Sequence, residues 1–437
     1  MVENYPLQNG VGGSNFARKY ISDKIDLASG ADLNEEKTEI GLYWINPTGI
    51  FGQYYNGVVR EFGLISPPSG KISVYTITTS GKALADAFNV EIGEKTATLF
   101  LQILEKGNLD RTTLKELQPF SLNHISFNSA EQCIYQNLLL GPDSMMHSVN
   151  SFHRRETILL LLEHLRNSPQ RQAQITLDFL RKNNNKVLSR GQIETDASTF
   201  WCFYELSELF HISMEHFHGC FLQNIDHEPQ AIQEVINQIM HDVEESFIKE
   251  DISIEETNLK ELLVKKHQSD LSTHEHNLET INAFRNRATG SCLKHAVYTM
   301  IGVYRDIFYL KDQIAEIIKL PEFRFDRTGN LLLLMTQHIE SNKQIKLKDF
   351  FVKTLHTVIN MHTYSSYAKS RIGMGIPHNY MIEENMVWKL KDTFPGRTSP
   401  RLQNTIQFLI DIDWLNNENK DISINERGLE ILERYGK

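Results

Sequence analysis

Residues 403–435 read QNTIQFLIDIDWLNNENKDISINERGLEILERY, and their order decides the fold. A helix-like stretch ends in the apolar pair Trp414-Leu415. A polar, hairpin-like turn follows, and then the β-prone run DISI. Glu426-Arg427-Gly428 opens a last helix whose apolar face is Leu429, Leu432 and Tyr435. The other end of the chain has the same order. YNGVVREFGLI (55–65) ends in Leu64-Ile65, and Ser66-Pro67-Pro68-Ser69-Gly70 makes the turn. VYTITTSGKALADAF (74–88) then supplies a β-prone run, the helix start Thr79-Ser80-Gly81, and a helix over Lys82–Phe88 with Leu84, Ala87 and Phe88 on its apolar face.

This order resembles the winged-helix form of the helix-turn-helix superfamily, over about 70 residues at each end. In that superfamily the helix before the turn is the recognition helix and the hairpin is the wing. The resemblance therefore implies DNA contact or protein contact through those two elements. A major-groove reader presents Arg, Lys, Asn or Gln on its recognition helix. The last module has Arg397, Arg401, Gln403 and Asn404 there, followed by Gln407. Over residues 365–405 Lys369, Arg371, Lys389, Lys391, Arg397 and Arg401 face only Glu383, Glu384 and Asp392. That local positive balance stands in a chain of net charge −10 and suits several phosphate contacts. Lys389, Lys391, Arg397, Arg401, Gln403 and Asn404 are the expected DNA-binding residues. The first module offers Gln53, Asn56 and Arg60 amid Phe51, Tyr54 and Tyr55, and those three aromatics read as a protein-binding surface.

The chain has 437 residues, enough for two to four domains at roughly 100–200 residues each. Apolar residues at 41% mark a globular chain. Four widely spread cysteines (Cys133, Cys202, Cys220, Cys292) exclude a disulfide-built fold and read as buried thiols. The N-terminus lacks a basic and then apolar leader, and no apolar run approaches the roughly 20 residues of a membrane span. The expectation is a cytoplasmic protein without membrane contact. Segments such as ETILLLLEHLRN, FWCFYELSELFHISMEHFHGCF and QAIQEVINQIMHDVEESF place apolar residues three and four apart, so residues 91–365 are expected to be helical. Asp242–Glu261 reads as a solvated acidic face. A short helix is expected at Phe16–Leu27, a loop at GMGIPHNY (373–380), and a helix at EENMVWKLKDTF (383–394). The expected division is an arm at 1–37, a winged-helix-like module at 38–115, a helical middle at 116–365, and a second such module at 366–437. The fold class is mainly α, a helical middle flanked by two winged-helix-like modules with short β-hairpins.

Candidates for chemistry are weaker. His211, His216, His218 and Cys220 are zinc-ligand types, but five- and two-residue spacings do not place them one helical turn apart. Arg285 and Arg287 before His295 resemble the Arg–His motif of the HEPN superfamily of helical ribonucleases, but with a longer gap than that family uses. Phosphate-binding glycine loops, a nucleophile elbow and HExxH are absent. The expected function is a non-enzymatic, DNA-associated accessory or scaffold subunit of a larger microbial complex, in chromosome maintenance or antiphage defence. Its expected partners are protein subunits and double-stranded DNA, without cofactor or metal, and a homodimer stays open. The alternatives are a kleisin-like subunit of a chromosome-organising ATPase, a transcriptional regulator, and a HEPN-like ribonuclease.

Overall fold

The computed structural model describes residues 24–26, 56–68, 75–106, 108–141, 149–190, 194, 196–247, 251–264, 292–319, 327–371, 378–391 and 402–436. In chain order the elements begin with β1 (Lys24–Asp26), α1 (Asn56–Glu61), β2 (Ile65–Ser66), β3 (Thr76–Ile77) and α2 (Thr79–Lys106). There follow β4 (Asn108–Asp110), α3 (Arg111–Glu116), α4 (Ala130–Leu140), α5 (Val149–Leu165), β5 (Gln170–Arg171) and α6 (Gln172–Arg190). The middle runs α7 (Ala197–Gln223), β6 (Gln230–Ala231), α8 (Ile232–Phe247), α9 (Leu259–Val264), α10 (Cys292–Ile317), α11 (Arg327–Asn342) and α12 (Leu347–Arg371). The chain ends with β7 (Tyr380–Glu383), β8 (Met386–Lys389), α13 (Leu402–Asp411), β9 (Leu415–Glu418), β10 (Asp421–Ile424) and α14 (Glu426–Tyr435). The protein is mainly helical, with small antiparallel sheets.

Internal contacts divide the chain into two units. One comprises Met1–Ala173 and Arg401–Lys437, and the other Gln174–Pro400. In the first, α5 buries Leu161, Leu162 and Leu165 and packs against α4 and α14. Helix α13 buries Leu402, Ile406 and Leu409, a one-face stripe at i, i+4 and i+7. Helix α14 buries Gly428, Ile431 and Leu432 on the same periodicity.

The second unit is built around α7. Asp196 caps this helix by accepting from the Thr199 amide, and apolar residues surround it: Phe203, Leu206, Leu209, Ile212, Phe217 and Phe221 are all buried. Such a helix must be enclosed on all sides. Helices α8, α10, α11 and α12 pack against it. Phe217 stacks on Phe351 at 5.9 Å, and Phe350 meets Phe351 edge-on at 5.3 Å. Asp242–Glu261 begins on α8, whose buried stripe Val235, Ile236, Ile239, Met240 and Val243 leaves Asp242, Glu244 and Glu245 on the other side.

Two sequence expectations are corrected. Lys24–Asp26, within the helix expected at Phe16–Leu27, is a strand that pairs with Asn108–Asp110. Residues 383–389, within the helix expected at 383–394, belong to the β7–β8 hairpin instead. Met386, Val387 and Leu390 mimic a helical stripe. The decisive feature is the pair Glu384 (φ 48°) and Asn385 (φ 68°), two left-handed residues in a row, which make a two-residue hairpin turn and stop a helix.

Candidate functional site

The repeat read in the sequence recurs atom by atom. At the C-terminal end the chain leaves α13 through Asp413, held at φ 63°, and the Trp414 amide donates to the Leu409 carbonyl at 2.8 Å. At the N-terminal end it leaves α1 through Gly63, at φ 67°, and the Leu64 amide donates to the Val59 carbonyl at 3.0 Å. Leu415 pairs with Ile424, and Ile65 with Ile77. The helix that follows is tied back to the turn by one side chain in each case. The Asn425 Nδ2 donates to the Asp413 carbonyl at 3.0 Å, and its Oδ1 accepts from the Gly428 amide at 2.9 Å. The Thr78 hydroxyl donates to the Gly63 carbonyl at 2.6 Å and accepts from the Gly81 amide at 3.0 Å. The capping residue is therefore Thr78, one before the triplet that the sequence singles out.

Both glycines are required by close approach. A Cβ at Gly81 would lie 2.1 Å from the Leu64 carbonyl oxygen and 2.8 Å from Ile77 Cγ1. At Gly428 it would lie 2.3 Å from the Trp414 oxygen and 2.7 Å from Ile424 Cγ1. Each unlike sequence thus builds one frame: helix, left-handed residue, hairpin, capped helix with glycine at its third position.

A second correspondence joins the two units, and sequence reading missed it. Each holds a three-stranded antiparallel sheet whose outer strand comes from far earlier in the chain: β5-β10-β9 in one, β6-β8-β7 in the other. The registers are the same. Asp421 pairs with Glu418 and Arg171, and Ile422 with Asn417 and Gln170. Met386 pairs with Glu383 and Ala231, and Val387 with Ile382 and Gln230. The amide after the outer strand closes each sheet, Gln172 to the Lys420 carbonyl at 3.0 Å and Ile232 to the Asn385 carbonyl at 2.9 Å. The available signal was the shared Pro-Gln, Pro169-Gln170 and Pro229-Gln230, after a long helix.

The expected DNA-binding residues are distributed over both units. Lys389 and Lys391 are half-buried at the end of β8, in the second unit. The Lys389 amide donates to the Asp226 carbonyl and the Lys391 amide to the Asn379 carbonyl. Gln403 and Asn404 lie on α13, in the first unit. Asn404 is exposed, whereas the Gln403 side-chain Nε2 donates to the Gln172 carbonyl at 2.9 Å and so ties α13 to the residue after strand β5 of the same unit. Arg397 and Arg401, and Phe51, Tyr54 and Tyr55 of the first module, lie outside the described residues.

Helix α7 separates the histidine cluster. His211 is exposed, His216 is buried and Cys220 is half-buried. His218 instead meets His362 of α12, ring centroids 4.6 Å apart, and His362 meets Tyr380 of β7 at 4.9 Å. The Asn379 amide donates to His362 Nε2 at 3.3 Å, and the Tyr380 hydroxyl donates to the Ile359 carbonyl at 3.2 Å. This stack fastens the hairpin to two helices. Burial, and then each ring's charged-form repulsion with its neighbours, lowers both histidines to about 4; His362 acts on His218, and His378 and Lys369 act on His362. Among the described residues no three His, Cys, Asp or Glu side chains form a metal-binding group.

A second buried polar group sits on α10. Asp306 is pushed up to about 7 by burial, with Arg305 opposing, and the Arg305 Nη2 donates to the Leu262 carbonyl at 3.4 Å. Burial first, and then Glu205, Asp306 and Asp196, raise the Cys202 thiol. These groups are enclosed in the helical core, which suits packing and hydrogen bonding rather than attack on a substrate. His295 is half-buried on α10, and Arg285 and Arg287 lie outside the described residues.

Among the described residues no helix is long and apolar enough to cross a membrane. No protein-family model, curated protein or solved structure matches this chain.

Proposed function

We propose that the chain is a non-enzymatic, DNA-associated accessory or scaffold subunit of a larger microbial complex, with winged-helix modules at its two ends. The observation that carries this reading is the repeated frame of helix, left-handed residue, hairpin and capped helix. In winged-helix proteins this frame presents the helix before the turn and the hairpin as one surface. The C-terminal module would offer Arg397, Arg401 and Asn404 to a duplex. Its hairpin contributes little positive charge, because Glu418 and Asp421 flank Lys420. Contact would therefore centre on the start of α13. Lys389 and Lys391 would form a separate basic pair on the second unit. The N-terminal module, with Phe51, Tyr54 and Tyr55, would hold a protein subunit.

The test is binding of the full chain to a labelled duplex of roughly 40 base pairs across a salt series, beside Arg397→Glu/Arg401→Glu. The expected result is affinity falling steeply with salt, and at least tenfold weaker binding by the double variant with a shallower salt slope. A parent that binds no duplex at low salt removes DNA from this reading and leaves the modules as protein-contact folds.

A further inference from the structure

The second unit carries a surface that its own packing does not explain. Helix α12 buries Phe350, Phe351, Thr354, Leu355, Val358, Ile359 and Ser366 against the helical core. On its last turns Met361, Tyr364 and Tyr367 stand 61%, 78% and 65% exposed. Successive members are three residues apart, so they are neighbours along one side of the helix. Single exposed apolar residues are ordinary, but a row of them on one face marks a contact surface. The Tyr367 ring meets the His378 ring nearly perpendicularly at 5.6 Å, and most of the residue stays open to solvent.

Charge selects the occupant. From Phe350 to Ile382 the sequence has no Asp or Glu, in a chain with 55 of them. The same helix ends on Lys369 and Arg371, both exposed in its last turn. Arg371 lies one turn beyond Tyr367 on the tyrosine side, whereas Lys369 projects on the His362 side. Flat rings beside a guanidinium, with no carboxylate on the same helix beyond Asp349, complement a polyanion that also presents flat faces. Duplex DNA hides its base faces, whereas an unpaired strand exposes them. Proteins that hold single strands combine these two features: aromatic rings for the bases and basic side chains for the phosphates. We propose that this face of α12 is a platform for single-stranded nucleic acid, with bases on Tyr364 and Tyr367 and the backbone phosphate on Arg371. The proposal goes beyond the duplex-binding reading and uses different residues.

Fluorescence anisotropy of the full chain with labelled oligo-dT and oligo-U of ~20 nucleotides, and with a duplex of the same length, tests it. The expected result is salt-sensitive binding of at least one single strand, the two arms telling DNA from RNA. Tyr364→Ala/Tyr367→Ala should weaken that binding at least tenfold. Tyr364→Phe/Tyr367→Phe, which keeps the rings, should hold it within about threefold. Arg371→Glu should reduce both affinity and salt dependence. None of these variants should change duplex binding, whereas Arg397→Glu/Arg401→Glu should leave single-strand binding intact, so the two readings fail separately. Because the three side chains are exposed, thermal melting of each variant should match the parent. Absence of single-strand binding at low salt overturns the proposal, as does an alanine pair that binds like the parent. So does an alanine pair whose only effect is loss of self-association in solution, which would make the face a protein contact.

Discussion

The two three-stranded sheets share one hydrogen-bond register and present opposite chemistry on one side. In each hairpin the inward side is apolar at matching positions, Tyr380 and Val387 in the second unit, Leu415 and Ile422 in the first, and all four are buried. On the other side the second unit places Met381 opposite Trp388 and Glu383 opposite Met386. The first unit places Asn416 opposite Ser423 and Glu418 opposite Asp421. Register is fixed by the buried side and by the two-residue turn, because a one-residue slip would expose it. The outward side is free of that constraint. It carries Met381, Met386 and Trp388 beside a single Glu383 in one sheet and is polar throughout in the other, so the frame carries the fold and the outward side carries whatever each sheet touches.

The largest expected effect breaks the frame itself. Gly428→Ala forces a methyl group against the Trp414 carbonyl oxygen, a backbone atom that cannot turn aside as a side chain can. Overpacking of this kind costs about 1–3 kcal/mol, and more where the neighbour is backbone. Gly81→Ala should behave alike, since the two environments match atom for atom. Chemical denaturation followed by tryptophan fluorescence and circular dichroism measures both. If either alanine variant is as stable as the parent, the close approach is not shared and the correspondence between the ends fails.

The next effect distinguishes the units by pH. His218 and His362 are neutral in the fold, with values near 4 against about 6.5 in the unfolded chain. Between those values the unfolded chain binds protons that the folded protein refuses. The second unit therefore loses stability as pH falls from about 6.5 towards 4, by up to ~3 kcal/mol for the more buried His218. Asp306 has the opposite sign. Burial raises it, so its contribution is present at low pH and is lost as pH rises from about 4 towards 7. Replacing His218 with phenylalanine keeps the ring stack and removes one titrating group. Melting the parent and His218→Phe at pH 7 and pH 4.5 should show a smaller acid-induced drop in the variant; equal drops would mean the ring is not held neutral by its burial.

The sequence carried some of this and hid the rest for identifiable reasons. The repeat between the ends was legible because local signals set it: an apolar pair, a polar turn, a β-prone run and a glycine that only close approach explains. The helical middle was legible from its 3.6-residue spacing. The β7–β8 hairpin was not, because Met386, Val387 and Leu390 satisfy a helical stripe and because its third strand, Gln230–Ala231, lies far upstream and contains no β-forming residue. The outer strand Gln170–Arg171 is equally silent. His218 was visible only as one of several histidines near Cys220, since its real neighbours, His362 and Tyr380, are distant in sequence. Tyr364 and Tyr367 stood in a helical pattern whose buried side could not be assigned without Phe217 and Phe247 across from Phe351. Long-range pairing decided each of these cases.

A smaller effect sharpens the comparison at the hairpin tips. Both turns place two residues in the left-handed region, Glu384 and Asn385 in one, Asn419 and Lys420 in the other. Asparagine tolerates that region, whereas Lys420, at φ 73°, does so at a cost that glycine avoids. Lys420→Gly completes an Asn-Gly pair, the sequence best suited to a two-residue turn of this kind, and should stabilise the first unit by about 0.5–1 kcal/mol. Glu384→Gly removes the same strain in the other tip, although there the left-handed asparagine follows rather than precedes the substituted position. A gain in both unfolding midpoints would show that the turns share one conformation in solution. A loss at Lys420→Gly would place the turn elsewhere and would separate the two sheets at the point where their registers are set.

The smallest expected effect lies on the outward side, where the comparison is purely chemical. Glu418 directly faces Asp421, a like-charge pair across the strands, and both are exposed. Cross-strand pairs contribute roughly 0.2–1 kcal/mol, and like charges work against the sheet. Glu418→Lys converts repulsion to attraction and should add a few tenths of a kcal/mol, lost again at high salt because the pair is solvent-exposed. The matching position in the second unit is Glu383, opposite Met386. Glu383→Lys has no facing carboxylate to relieve, so its stability should stay at the parent value within error. Urea titrations at low and high salt measure the difference between the two substitutions. A salt-sensitive gain confined to Glu418→Lys is what two sheets of one register and opposite surface chemistry require; equal responses would mean that the outward sides differ less than their sequences do.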